Sequence, residues 1–129
     1  MMLKHKVEDN IVYLAAPKRL FTNVLYNKAE KYICSLKPFA VMRASKLFTS
    51  NEQWLKTYKN HIANCEVMVI VTDNGIVGKG VYLEYSEFRK HHKLILWYVE
   101  RGKTKSLLVV RMLEVLNEDN WIDYAKIRT

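Results

Sequence analysis

The stretch from Glu66 to Tyr85, EVMVIVTDNGIVGKGVYLEY, constrains the fold more than any other part of the chain. Val67 to Val71 is a β-branched and apolar run without polar alternation, the pattern of a strand buried on both faces of a parallel sheet. Thr72, Asp73, Asn74 and Gly75 are turn formers. Gly78-Lys79-Gly80 then leads into Val81, Tyr85 and Phe88, whose i, i+4, i+7 spacing marks the inward face of a helix. The unit is strand, glycine-bearing loop, helix. In open α/β sheets ligands sit in the crevice at the carboxyl ends of the strands, and a helix that opens on glycines offers backbone N–H groups to an anion. Glu84 lies on the first turns of that helix.

The rest of the chain alternates in the same way. Residues 1–10 are polar and unpatterned, a loose lead-in or arm. Ile11 to Ala16 is a short apolar run closed by Pro17, a first buried strand. From a cap at Thr22 or Asn23, Leu25, Ala29, Tyr32 and Leu36 share a helical face with Ile33 alongside. Pro38 ends that helix, and Phe39 to Met42 is a second strand. Ser50 and Gln53 have capping-box spacing, with Leu55, Tyr58 and Ile62 as the buried face of a second helix. Leu94 to Val99 is a fourth strand ended by Gly102. Ser106 to Leu116 fits a buried strand or a buried helix; the upstream alternation favours helix, and Tyr124 to Arg128 becomes an edge strand. The expectation is one three-layer α/β domain over residues 1–129, with a mostly parallel five-stranded sheet and helices on both faces.

A chain of 129 residues has room for one domain with a real core. The formal charge of +8 favours anionic partners, nucleic acid included, and is silent on fold. Cys34 and Cys65 cannot make a disulfide framework and are expected as reduced core residues. No apolar run approaches membrane-span length and the N-terminus lacks a signal-peptide core, so the expected setting is cytoplasmic, away from membranes.

IVYLAAP in the first strand, NHIANCEVMVIV, and the loop and helix VGKGVYLEY together resemble the nucleoside 2-deoxyribosyltransferase superfamily over about residues 11–99. The resemblance implies a small flavodoxin-like, Rossmann-like domain that cleaves the N-glycosidic bond of deoxynucleosides or their 5′-monophosphates, transferring the sugar to another base or to water, without a cofactor. It implies Glu84 as nucleophile and Tyr13 as the first-strand tyrosine that orients it. It also places Ala16 and Pro17 beside the substrate and implies a site shared between subunits, hence a homodimer or larger homo-oligomer. The chain departs from the family pattern where glycine is replaced by Ala16, where an aspartate is replaced by Gly78, and where the acidic residue expected in the second helix region is missing, its position falling near Tyr58. Asp73 is then the nearest candidate acid for the leaving base.

The chemistry of these residues stands beside simpler readings. A glutamate can attack an anomeric carbon and form a glycosyl ester that water or a second base resolves; it can equally be an exposed helix carboxylate. Gly78, Lys79 and Gly80 suit a 5′-phosphate at a helix start, or only the geometry of a turn. Arg89-Lys90-His91-His92-Lys93 complements a helix C-terminus or, with Arg101, Lys103 and Lys105, contacts nucleic acid. Adjacent His91 and His92 diverge on a helix, and no metal-ligand set accompanies them. Trp54, Trp97 and Trp121 are expected in the core or an interface. The function classes that follow are a deoxynucleoside or nucleotide glycosidase or transferase, a nucleotide-binding module that does not cleave, and a basic nucleic-acid-binding protein.

Overall fold

A computed structural model describes residues 6–43, 50–116 and 124–129. In chain order they form β1 (Ile11–Ala15), a 3-10 turn (Lys18–Leu20), α1 (Val24–Ser35), β2 (Ala40–Arg43), α2 (Asn51–Ala63), β3 (Val67–Ile70) and β4 (Ile76–Gly78). Then come α3 (Lys79–Lys90), β5 (Leu94–Arg101), β6 (Thr104–Val109), β7 (Met112–Val115) and β8 (Tyr124–Arg128). The main sheet has five strands in the order β2-β1-β3-β5-β6. Its first four strands are parallel and β6 runs antiparallel to β5. β3 is central, and all of its residues are buried, as the unbroken apolar run requires.

Alternate residues of these strands feed two cores. Val12, Leu14, Val67, Val69, Leu96 and Tyr98 face α1, which contributes Tyr26, Ala29 and Ile33. Tyr13, Ala15, Met68, Ile70 and Ile95 face the other way, towards Tyr58 and Ile62 of α2 and Val81, Tyr85 and Phe88 of α3. The helix starts lie where the capping residues put them: the Asn23 side chain accepts from Leu25 N at 2.8 Å, and Ser50 Oγ accepts from Gln53 N at 3.1 Å.

Four expectations are corrected. Ser106 to Leu116 is not a helix but parts of β6 and β7. A two-residue connection at Gly102 (φ +61°) and Lys103 folds β6 straight back on β5, which leaves no length for a crossover helix. The chain then changes sheet between Val109 and Met112, so its buried residues Leu107, Val110 and Leu113 fall three apart and mimic a helical period. Tyr124–Arg128 is not an edge of the main sheet; β8 is the middle strand of a second, three-stranded antiparallel sheet, β4-β8-β7. That sheet exists because Ile76–Gly78, expected as loop, pairs with β8 instead. Its Val77, Leu113, Ala125 and Ile127 cover the α2/α3 side of the core where a fourth helix was expected. Finally, Leu55 is exposed and Trp54 packs on the core, so the inward stripe of α2 runs through 54, 58 and 62.

Smaller differences concern the cysteines and the N-terminal residues. Cys34 is exposed and Cys65 is buried. Of the expected N-terminal arm, residues 1–5 lie outside the described residues, whereas Val7 is fully buried in the α1 core and Asp9 N donates to Lys37 O. Among the described residues no helix is long and apolar enough to cross a membrane.

Lys93 joins two elements. Its ammonium donates to Ile62 O and Ala63 O at 3.1 and 3.0 Å, and also to Cys65 O, satisfying carbonyls that the end of α2 leaves open. Lys93→Met keeps the aliphatic stem and removes these bonds. The expected result is a loss of about 1–3 kcal/mol of unfolding free energy in a urea titration, with the m-value unchanged.

Candidate functional site

Tyr13 occupies the middle of β1, paired with Met42 of β2 on one side and Met68 of β3 on the other, so its backbone is fixed by both neighbours. Its ring packs on Phe88 of α3 at 5.9 Å between centroids. Glu84 lies one helical turn before Phe88, on the same inward stripe as Val81 and Tyr85, and is only 3% exposed. The helix therefore points a carboxylate at the tyrosine above the sheet. Tyr13 OH donates to Glu84 Oε2. Trp54 Nε1 of α2 donates to the same oxygen at 3.3 Å. Among the described residues Oε1 takes no further donor.

Burial and hydrogen bonding pull on this carboxyl in opposite directions. Loss of solvent raises it from an ordinary value of 4.5 to about 7, against the two donors, which favour the charged form. Burial, the Glu84 charge and the shared hydrogen bond all push the Tyr13 hydroxyl far above its usual range, so it remains a donor. Tyr58 is also raised, first by burial and then by Glu87 and Glu84.

A cleft of about 660 Å³ opens over this group, within the size range of small-molecule sites. It is walled by the residues that follow β1 (Ala16, Pro17, Lys18), by Phe21, by the start of α2 (Ser50, Asn51, Trp54, Leu55) and by the start of α3 (Gly78 to Val81, Leu83), with Glu84 among them. The location is the carboxyl end of β1, the edge anticipated for ligands in such sheets. The aromatic and aliphatic walls suit a flat ring, and Lys18, Lys79 and two helix N-termini give the opening positive character.

The expected site residues divide accordingly. Tyr13 and Glu84 meet directly, and Ala16, Pro17, Gly78, Lys79 and Gly80 line the same cleft. Asp73 is elsewhere. It forms a two-pronged ion pair with Arg19 at 2.7 and 3.0 Å, outside the cleft lining, and the Arg19 hydrogen bond holds its carboxyl below the usual range. Among the described residues that line the cleft, Glu84 is the one carboxylate.

Three residues of the basic run that closes and follows α3 have structural partners. Arg89 lies over the Tyr85 ring, His91 Nε2 is 3.0 Å from Glu87 Oε2, and Lys93 holds the end of α2. Arg101, Lys103 and Lys105 sit at the exposed β5–β6 turn. No group of three or more His, Cys, Asp or Glu able to hold a metal occurs among the described residues. Trp121 lies outside the described residues, and Trp97 packs against the core and the Gly75 turn.

Trp54 is the site residue that sequence reasoning missed. Its signal was the aromatic pair Trp54 and Tyr58 at i, i+4, directly after a helix cap: the two rings stack at 4.6 Å and 12°. Compared with protein-family models, curated proteins and solved structures, the chain finds no match.

The raised Glu84 carboxyl ties stability to pH. The folded protein holds this proton more tightly than the unfolded chain, so the contribution is full below about pH 4.5 and is lost as the pH rises through about 7. A shift of this size corresponds to about 3 kcal/mol. Glu84→Gln removes the dependence. The unmodified protein should lose roughly that much stability relative to the variant between acid and mildly alkaline pH, in paired denaturant titrations.

Proposed function

We propose that the protein cleaves the N-glycosidic bond of deoxynucleosides or deoxynucleoside 5′-monophosphates through Glu84, on a flavodoxin-like domain resembling the nucleoside 2-deoxyribosyltransferases. The observation that carries the reading is a single buried carboxylate, held through one oxygen by Tyr13 and Trp54, on the lining of an aromatic cleft.

In this reading the base lies against the ring of Phe21 or Trp54, and the sugar lies over Glu84. Oε1 attacks C1′. The C1′–O bond forms as the C1′–N bond breaks, and the electron pair leaves with the base. Water or a second base then attacks C1′ and releases Glu84 as a carboxylate. A 2-deoxy sugar suits a cleft with one carboxylate, because without the electron-withdrawing 2′-hydroxyl, positive charge at C1′ forms more readily. The departing base takes its proton from solvent in the open cleft. Lys18, Lys79 and the N–H groups that open α3 are the partners offered to a 5′-phosphate.

The lone cleft carboxylate also supports a second reading, a module that binds such ligands without cleaving them. A homodimer belongs to the same proposal, with Tyr124, exposed on the outer face of the small sheet, as a candidate contact. A monomer by light scattering across a wide concentration range would remove it.

Release of free base from deoxynucleosides and their monophosphates, followed by chromatography, tests the main reading. Glu84→Ala should lower it by roughly a thousand-fold or more, and Tyr13→Phe by roughly ten- to a hundred-fold with binding little changed. Because the nucleophile must be ionised, the rate should rise with pH around a midpoint near 7. Base release retained by Glu84→Ala rejects the nucleophile. Binding without release by the unmodified protein selects the second reading.

A companion measurement addresses the phosphate. Lys79→Glu should weaken binding of a monophosphate by about ten-fold and that of its nucleoside hardly at all. Equal affinities for both ligands, unmoved by the substitution, discard the phosphate contact.

A further inference from the structure

We infer that Trp54 is the positioning residue of Glu84: its indole N–H, fixed on α2 by the stack with Tyr58, holds Oε2 inward and leaves Oε1 to face the cleft. For the reaction, this rests on the reading of Glu84 as nucleophile. For the carboxylate itself, it rests on geometry alone.

Three elements meet on one atom. Oε2 accepts from Tyr13 on β1 and from Trp54 on α2, while Glu84 itself belongs to α3. Two donors on the same oxygen fix the carboxylate plane, which a single bond does not. The indole is bounded in turn. Tyr58 covers it at 4.6 Å, nearly parallel, and the first turn of α3 lies alongside, where a Cβ at Gly80 would make ordinary van der Waals contact with the Trp54 ring at 3.9 Å. Trp54 also lines the cleft, so a ring stacked there touches the group that orients the carboxylate. Occupancy of the cleft and the charge of Glu84 are thereby coupled through one side chain.

The charged neighbours can be separated from Glu84. Tyr13 on β1, Tyr58 on α2 and Cys65 beyond Tyr13 are all pushed upward by burial and keep their protons near neutrality, Cys65 to about 12. Among the described residues, Lys18 and Lys79 at the cleft and Glu87, His91 and Arg89 on α3 are further ionisable groups on that side. A titration step that disappears in Glu84→Gln belongs to Glu84 and to none of these.

The experiment is an NMR titration of the whole protein, following the Trp54 indole N–H resonance and the Glu84 side-chain carboxyl carbon. In the unmodified protein both should move with one midpoint near 7, and the indole resonance should be flat in Glu84→Gln. Trp54→Phe keeps a ring on Tyr58 and removes the donor to the charged form. It should raise the Glu84 midpoint by about half to one pH unit, and carry the rising limb of base release upward by the same amount. An indole resonance that ignores Glu84 in the unmodified protein overturns the inference, as does an unchanged Glu84 midpoint in folded Trp54→Phe. If that variant fails to fold, the titration of the unmodified protein decides alone. Absence of base release at every pH discards the glycosidase reading, while the titration still decides the role of Trp54.

Discussion

The shared acceptance of two hydrogen bonds by Glu84 Oε2 is the interaction on which the rest of the site depends. An ionised carboxylate removed from water costs several kcal/mol unless donors replace its hydration. Here the donors come from β1 and α2, and the acceptor from α3. None of the three is adjacent to another in sequence. Once the carboxylate is buried, its charge is supported only where β1, α2 and α3 are packed together, which places the cleft's reactivity under the control of the fold.

The two sides of the sheet are finished differently. On one side α1, Val7 before β1 and Leu20 of the 3-10 turn cover the strands with apolar residues. On the other, α2 and α3 pack together and the small β4-β8-β7 sheet fills the space beside them. The turn before β4 is held by Thr72 Oγ1 donating to Ile76 O at 2.8 Å and Asn74 Oδ1 accepting from Ile76 N at 3.0 Å. That turn aims β4 at β8 and delivers Gly78 as the residue before α3. The cleft thus owes its α3 wall to a strand that belongs to the second sheet.

Much of this was legible in residue patterns, and the failures have physical causes. The unbroken run Val67–Val71, the caps at Asn23 and Ser50, and the 81, 85, 88 spacing are local signals, and local geometry decided them. The meeting of Tyr13 and Glu84 was anticipated through the family resemblance and not through local pattern, since the two residues lie 71 positions apart. What escaped were pairings set by distant residues. Ile76–Gly78 is too short to declare itself a strand without β8, and Leu107, Val110 and Leu113 imitate a helix only because the chain bends between two sheets. Trp54 escaped for a related reason: a tryptophan at an inward position is ordinary core by composition, and only the third dimension shows its N–H directed at a carboxylate. Asp73 illustrates the reverse, an acid close in sequence to the loop whose Arg19 partner holds it away from the cleft lining.

The position of β8 between β4 and β7 has a consequence for how the molecule assembles. The two outer strands do not pair with each other, and each gains its ladder only from residues 124–128. Val77 and Leu113 consequently wait, in a growing or refolding chain, for a segment some dozens of residues downstream of β4 before their side of the core is closed. The parallel strands and α1 do not depend on residues 124–128, since their partners all precede them in the chain. Until β8 is made, the α2/α3 side of the core lacks the cover that Ala125 and Ile127 supply.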